Sequence, residues 1–386
     1  MGAAQIIATV LAAAVTVVAV VLAVRAVVQM TAVIRLGRPD PTRFSGKGAR
    51  TTTMLTETLG HTRMLKWSTI GAAHWFVMVS FIILFLLVLE AYFEVVDPEG
   101  GLPIVGHWAV YGLVTEWIGV LGLAGILYLI YRRQREKPGR AQRSRFTGST
   151  MWQGYFVEAV IVGVLICGFL IRGFKVANDT FEFPGWATPV SHGVGALLPA
   201  AADGPTWVAL VKLFISMGWL ITIGLNVTMG VAWHRFLAFP NIFFKRDPGK
   251  PAGSGLGPLK PMMSEGKPLD FEEADPEKDQ FGVAQVEQFT WKGILDFSTC
   301  TECGRCQSQC PAWNTGKPLS PKLMILSLRD HAYAKAPYLL AGGSTATEEA
   351  LAKVDVLALA EKDRPLIGGA EENGIIDPDV LWSCTT

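Results

Sequence analysis

Apolar residues fall in five long blocks, near positions 4–30, 67–92, 107–131, 152–174 and 207–233, separated by shorter polar stretches. A hydrocarbon core needs about 20 consecutive apolar residues in a helix. Each block is long enough, so the pattern predicts five transmembrane helices. Buried helices of a large soluble protein would contain the same residue types, but five such blocks in succession leave little polar surface for a soluble fold. No basic residue precedes the first block, which argues against a cleaved signal peptide.

Beyond the fifth block the pattern breaks. Residues 245–278 are dense in proline, glycine and charge, the signature of a linker or an extended segment. Short helical signals follow. Ser320-Pro321 is a cap followed by proline at the first helical position, ahead of Leu323, Ile325, Leu326 and Leu328. Thr345 and Glu348 have the spacing of a capping box before Leu351, Val354, Leu357 and Leu359. The predicted fold class is all-α, a five-helix transmembrane bundle followed by a small α-helical domain. The expected division is a transmembrane domain over 1–244, a linker over 245–280 and a separate domain over 281–386.

Composition agrees with a bilayer location. Hydrophobic residues make up 50% and charged residues 17%, against about 25% charged in ordinary soluble domains. The net charge of +1, from 34 basic and 33 acidic residues, excludes a wholesale basic nucleic-acid binder and an acidic disordered chain. No nucleic acid is expected as a partner. The placement of charge carries more information than its sum. Seven Lys or Arg lie between 35 and 66 and seven between 132 and 145, whereas the loop after the second block holds Glu94, Asp97 and Glu99 with no base. After the fourth block, Asp179, Glu182 and Asp203 follow a lone Lys175. Positive loops stay in the cytoplasm. The expected topology is therefore five passes through the plasma membrane, with the N-terminus outside and everything after Trp233 inside.

Four of the six cysteines lie in Cys300-Thr-Glu-Cys303-Gly-Arg-Cys306-Gln-Ser-Gln-Cys310-Pro311. This is the C-x2-C-x2-C-x3-C-P run of bacterial ferredoxins, in which the fourth cysteine serves a different cluster from the first three. Gly304 permits close backbone approach and Pro311 stops the loop from continuing as helix. Zinc would usually show two separated C-x2-C pairs. Cys300, Cys303 and Cys306 are thus assigned to one [4Fe–4S] cluster, and Cys310 to a second together with Cys384. The segment around Cys384 resembles another C-x2-C run cut off one residue before its next cysteine, so the sequence as given reads as continuing beyond Thr386; the alternative is that Cys384 is an incidental thiol. Residues 281–386 are accordingly expected to form a small α-helical ferredoxin-type iron–sulfur domain.

A haem b would need two imidazoles at one depth on different helices. His74 and His234 both fall in the inner half of the second and fifth blocks and are the candidate pair; interfacial histidines without haem are the alternative. His107 and His192 read as outer-loop residues, and His61 and His331 as surface residues. Charges inside spans mark functional sites by default. Glu158, about two turns in from the inner side, is a candidate proton carrier for a quinone or else a hydrogen-bonding partner for a neighbouring helix. Glu116 and Lys212, in the outer half, read as a neutralising pair.

Together these features resemble the membrane-bound heterodisulfide-reductase-like iron–sulfur reductases. In that family a nitrate-reductase-gamma-like cytochrome b domain is fused to a double [4Fe–4S] module and then to CCG domains. The resemblance covers the whole chain, stops before the CCG domains, and is nearest the actinobacterial electron transfer flavoprotein:menaquinone oxidoreductases. It implies a lipid bilayer setting, electron transfer flavoprotein as donor, menaquinone as acceptor and haem in the membrane. The family's partners for an outer haem would fall at Leu84 and Ser216, neither of which can ligate iron, so one haem b is expected at most. A rival reading is a non-catalytic anchor that wires a separate catalytic partner.

Overall fold

The computed structural model describes residues 1–246, 261–264, 267–275, 277–279 and 281–384. Much of the expected linker, and Thr385 and Thr386 of the Cys384 motif, lie outside the described residues. The helices in chain order are α1 (Ala3–Arg35), α2 (Lys47–Thr58), α3 (Ser68–Val96), α4 (Ala109–Glu136), α5 (Met151–Ala177), α6 (Pro189–Gly195), α7 (Gly204–Leu225) and α8 (Gly230–Phe243). Then come α9 (Trp291–Thr299), α10 (Arg305–Gln309), α11 (Pro311–Asn314), α12 (Pro321–Leu340), α13 (Glu348–Leu351), α14 (Val356–Ala360) and α15 (Pro378–Trp382). Two-residue strands at Met263–Ser264 and Lys267–Pro268 pair antiparallel. The all-α expectation holds, and α1, α3, α4, α5 and α7 are long and apolar enough to cross a membrane.

The chain forms two compact units interleaved in sequence. One comprises Met1–Val27, Leu59–Glu136 and Thr150–Asn226; the other comprises Val28–Thr58, Lys137–Ser149 and Val227–Thr386. In the first, α1 turns a line of alanines inward, Ala8, Ala12 and Ala19, all at most 2% exposed, while valines such as Val10, Val17, Val21 and Val24 face outward. Small residues let helices approach closely where lipid supplies no hydrophobic drive. Ala8 and Ala12 pack with Ala91, Val95, Ile171, Ala209 and Leu213.

The fifth apolar block, read from sequence as one helix over 207–233, is two helices. It breaks after Leu225, where Asn226 Nδ2 donates to the carbonyl of Thr222 at 2.7 Å and Asn226 N–H to that of Ile223 at 3.1 Å. Such local side-chain bonds compete with the helical ladder. His234 consequently lies on α8 in the second unit rather than at the end of a membrane span.

The second unit has its own core of Val286, Phe297, Leu328, Ala332, Leu366 and Ile376. The last turn of α1 joins it through Val33, packed with Ile294 and Ala336. Arg50, 2% exposed, donates to the carbonyls of Phe243 and Lys245 at 3.0 and 2.8 Å, closing the C-terminal end of α8. The Ser320 cap forms as the sequence indicates, its Oγ accepting from Leu323 N–H at 3.2 Å with Pro321 at the first position. The other cap shifts. Thr347, not Thr345, accepts from Ala350 N–H and starts α13, while Thr345 ends a tight turn over Gly343–Thr345.

Candidate iron–sulfur site

Cys300 is the C-cap of α9, Cys303 lies on the following loop, Cys306 is in α10, and Cys310 links α10 to α11. Two left-handed residues turn the loop, Glu302 at φ 56° and Gly304 at φ 69°. A non-glycine residue is strained there and needs outside support. Glu302 receives it from Arg329, whose Nη1 lies 3.2 Å from its carboxylate, and from Ser149, whose Oγ donates to its carbonyl at 2.9 Å. Gly304 has a second reason to be glycine, since a Cβ there would collide with the carbonyl of Arg145.

Residues 137–149 wrap the cysteine loop from outside. Arg145 donates to the carbonyl of Cys303 at 3.1 Å, and the buried Gln307 joins Ser144 O at 3.2 Å to Ser320 Oγ at 2.7 Å. Lys322, 1% exposed, donates to Arg145 O, Thr147 O and Ser149 Oγ at 3.0, 2.8 and 2.7 Å. Sequence reasoning missed Gln307, Lys322 and this loop. One signal was present: a lysine in the first turn of a helix opposes the helix dipole, which suggests that its charge serves something else.

Burial pushes the Cys300 thiol up from its ordinary pKa, opposed by the Glu302 N–H directed at the sulfur and reinforced by Cys303 and Cys306. Cys306 is also raised, first by burial and then by Cys303. Burial brings Lys322 down to about 8, against the pull of Glu302 and the three thiols. Cys300 and Cys306 are therefore disfavoured as thiolates where they sit unless positive charge is supplied beside them. Iron supplies it, and backbone N–H groups aimed at sulfur are a feature of cluster sites. Among the described residues no three His, Cys, Asp or Glu side chains converge at the spacing of a single metal ion. Cys310 is partly buried, and Cys384 is exposed just after α15.

The histidines separate into distinct environments. His74, on α3, has Nδ1 2.8 Å from Nε2 of His61, with the rings stacked at 5.1 Å. His61 is 6% exposed, so it is a buried partner of His74 and not the surface residue expected. His234 Nδ1 lies 2.8 Å from Val231 O. Both candidate ligands thus engage Nδ1, so each ring is oriented by a partner, as metal-ligating histidines are. The two belong to different units. His331 is also buried, at 3%, against Glu361 at 2.7 Å.

Glu158, 5% exposed on α5, accepts from Arg133 Nε at 2.6 Å through Oε1, while its buried Oε2 has no hydrogen-bond partner among the described residues. The ion pair offsets the cost of burying a carboxylate at this depth. The expected Glu116–Lys212 pair does not form. Glu116 meets Arg172 at 3.2 Å and the N–H and hydroxyl of Ser191 at 2.8 and 2.6 Å. Lys212 donates to the carbonyl of Leu87 at 2.7 Å, and Lys175 pairs with Glu94 at 2.8 Å. Lys175 had read as the start of the outer loop and Arg172, inside the fourth block, had gone unremarked, yet α5 carries both inward to balance the acids.

No protein-family model matches the chain, and no solved structure does. Among curated proteins, an EtfAB:quinone oxidoreductase of Syntrophomonas wolfei is 28% identical over 338 residues, covering 84% of this chain and 43% of that protein. The probable iron-sulfur-binding oxidoreductase FadF of Bacillus subtilis is 25% identical over 342 residues, 85% of this chain and 45% of its own length. A probable membrane-anchored ferredoxin of Chromohalobacter salexigens is 30% identical over 202 residues, 49% of this chain and 27% of that one. The chain spans less than half the length of these relatives. Over most of its residues, then, this chain is similar to proteins named as an EtfAB:quinone oxidoreductase and an iron-sulfur-binding oxidoreductase, and over about half of them to a membrane-anchored ferredoxin.

Proposed function

We propose that this chain carries electrons from a soluble redox protein, electron transfer flavoprotein, through [4Fe–4S] clusters to a quinone, menaquinone, held in the membrane. One observation carries the reading: the cysteine loop, residues 137–149 that lead into the membrane-length helix α5, and the chain from Val227 that follows the membrane-length helix α7 are built into a single compact unit. Cys300, Cys303 and Cys306 would hold one cluster and Cys310 with Cys384 would contribute to another; such centres exchange one electron at a time. The surrounding chain holds the loop in its left-handed turns, directs backbone N–H groups at the sulfurs and keeps the cation of Lys322 nearby. In this reading the iron–sulfur unit faces the cytoplasm of a plasma-membrane protein with its N-terminus outside.

His74 and His234 would hold one haem b, their rings oriented by the hydrogen bonds at Nδ1. Glu158 would take up and release the proton at Oε2 while Arg133 holds Oε1 in place. Reaction with quinone is assigned to the inner side, where Glu158 and both histidines belong by sequence position. The test is an anaerobic assay of the purified natural protein. Reduced electron transfer flavoprotein should bleach the cluster absorbance, a menaquinone analogue should restore it, and a pyridine haemochrome should give one haem per chain. Clusters that are reduced by the flavoprotein but never reoxidised by quinone would overturn the acceptor assignment.

A further inference from the structure

The first residue of α8 makes an unusually close backbone approach. Gly230 is buried, and a Cβ placed on it would collide with the carbonyl oxygen of Cys300, the next nearest atoms being Cys300 C and Thr301 N. Backbone cannot swing aside as a flexible side chain does, so the approach requires glycine. α8 packs along α9, and Cys300 caps α9. Four residues beyond Gly230, on the same face of α8 and about 6 Å further along its axis, is His234. The first cysteine of the run is therefore seated one helical turn from the histidine assigned to the haem. On its other side the loop is held by Arg145 and Ser149, and Ser149 is two residues from the start of α5. Both supports of the Cys300–Cys306 loop thus continue, within a few residues along the chain, from or into membrane-length helices. No corresponding backbone approach involves Cys310 or Cys384 among the described glycines.

We infer that Gly230 is a positioning residue that seats Cys300 against α8, making the site of Cys300, Cys303 and Cys306 the last iron–sulfur station before the membrane. This rests on the proposed cluster-to-quinone reading. The electron balance is simple. Each cluster oxidised from the 1+ to the 2+ state releases one electron, and a quinone takes two electrons and two protons from the medium to become the quinol. Seating sets the distance of that transfer, whereas the potential of the cluster depends on its ligands and the hydrogen bonds to sulfur, which Gly230 does not supply.

The experiment uses the purified holoprotein, reduced anaerobically, freed of reductant and mixed with a soluble short-chain quinone while the reduced-cluster paramagnetic signal is followed by freeze-quench. Gly230→Val should slow reoxidation by about tenfold or more, the scale on which small misplacements act, and Gly230→Ala should slow it less. Iron and sulfide content and cluster midpoint potentials should stay at wild-type values in at least the alanine variant. Gly48→Ala, in the same unit with no atom within 4 Å of its built Cβ, should react at the wild-type rate. Wild-type rates in both Gly230 variants would overturn the inference, and so would a shift of cluster content or potential in proportion to the rate in both. Failure of the wild-type protein to react with quinone would overturn the underlying reading instead.

Discussion

Lys322 Nζ lies 2.7 Å from Ser149 Oγ, joining the first turn of the helix after the cysteine run to the last residue before Thr150 and α5. The same amine holds two carbonyls of that loop, at Arg145 and Thr147. Fixing a loop with a fully buried cation is costly unless every donor is used, and here three donors meet three acceptors. Lys322→Met keeps the length and removes the donors, so it should destabilise the iron–sulfur unit by about 2–3 kcal/mol through the acceptors left buried. Denaturant titration followed by cluster absorbance checks this, and a redox titration should also give a lower midpoint potential because a nearby positive charge is gone.

The cysteines should sort into two groups by signal. Cys303→Ser should abolish one cluster signal in electron paramagnetic resonance and lower the iron count. Cys310→Ser and Cys384→Ser should both remove a second signal and leave the first intact. If either of the latter erased the signal lost in Cys303→Ser, the ligand division would be wrong.

Glu158→Gln keeps a hydrogen-bond acceptor for Arg133 and removes the titrating oxygen. Quinone reduction by the pre-reduced protein should fall by about a hundredfold, the usual scale of a positioned proton donor, and its pH dependence should flatten, with cluster content unchanged. An unaltered rate across pH would leave Glu158 as a structural partner of Arg133.

His331 supplies a pH dependence of stability. Burial holds its imidazole below the ordinary value, only partly opposed by Glu361, and its Nε2 is buried with no hydrogen-bond partner among the described residues. The folded state therefore disfavours the protonated ring relative to the unfolded chain. Its stabilising contribution is fully present above about pH 6.5 and is lost as pH falls through the lower folded value. Thermal unfolding of the iron–sulfur unit should move to lower temperature below that range. His331→Gln should show a flatter acid limb, and an identical slope in both proteins would remove His331 as the cause.

Much of this was legible because it is local. Five apolar blocks fix five membrane-length helices through length and hydrophobicity alone, and thiol spacing fixes a cluster-type loop because four cysteines in eleven positions cannot be far apart. Ser320-Pro321 announces the start of α12 because capping involves neighbours in sequence. Partner choice among distant residues was not legible. Glu116 could have met Lys212, but the rotation of α5 presents Arg172 to it. His61 looked like a surface residue, but a left-handed turn at φ 52° folds it back onto His74. His234 looked like the end of a span, but the bonds of Asn226 break the helix before it. The wrapping of the cysteine loop by residues 137–149 likewise joins positions more than 150 apart. Periodicity and spacing are set by the backbone and are written along the chain, whereas which buried polar groups satisfy one another is decided only when helices pack.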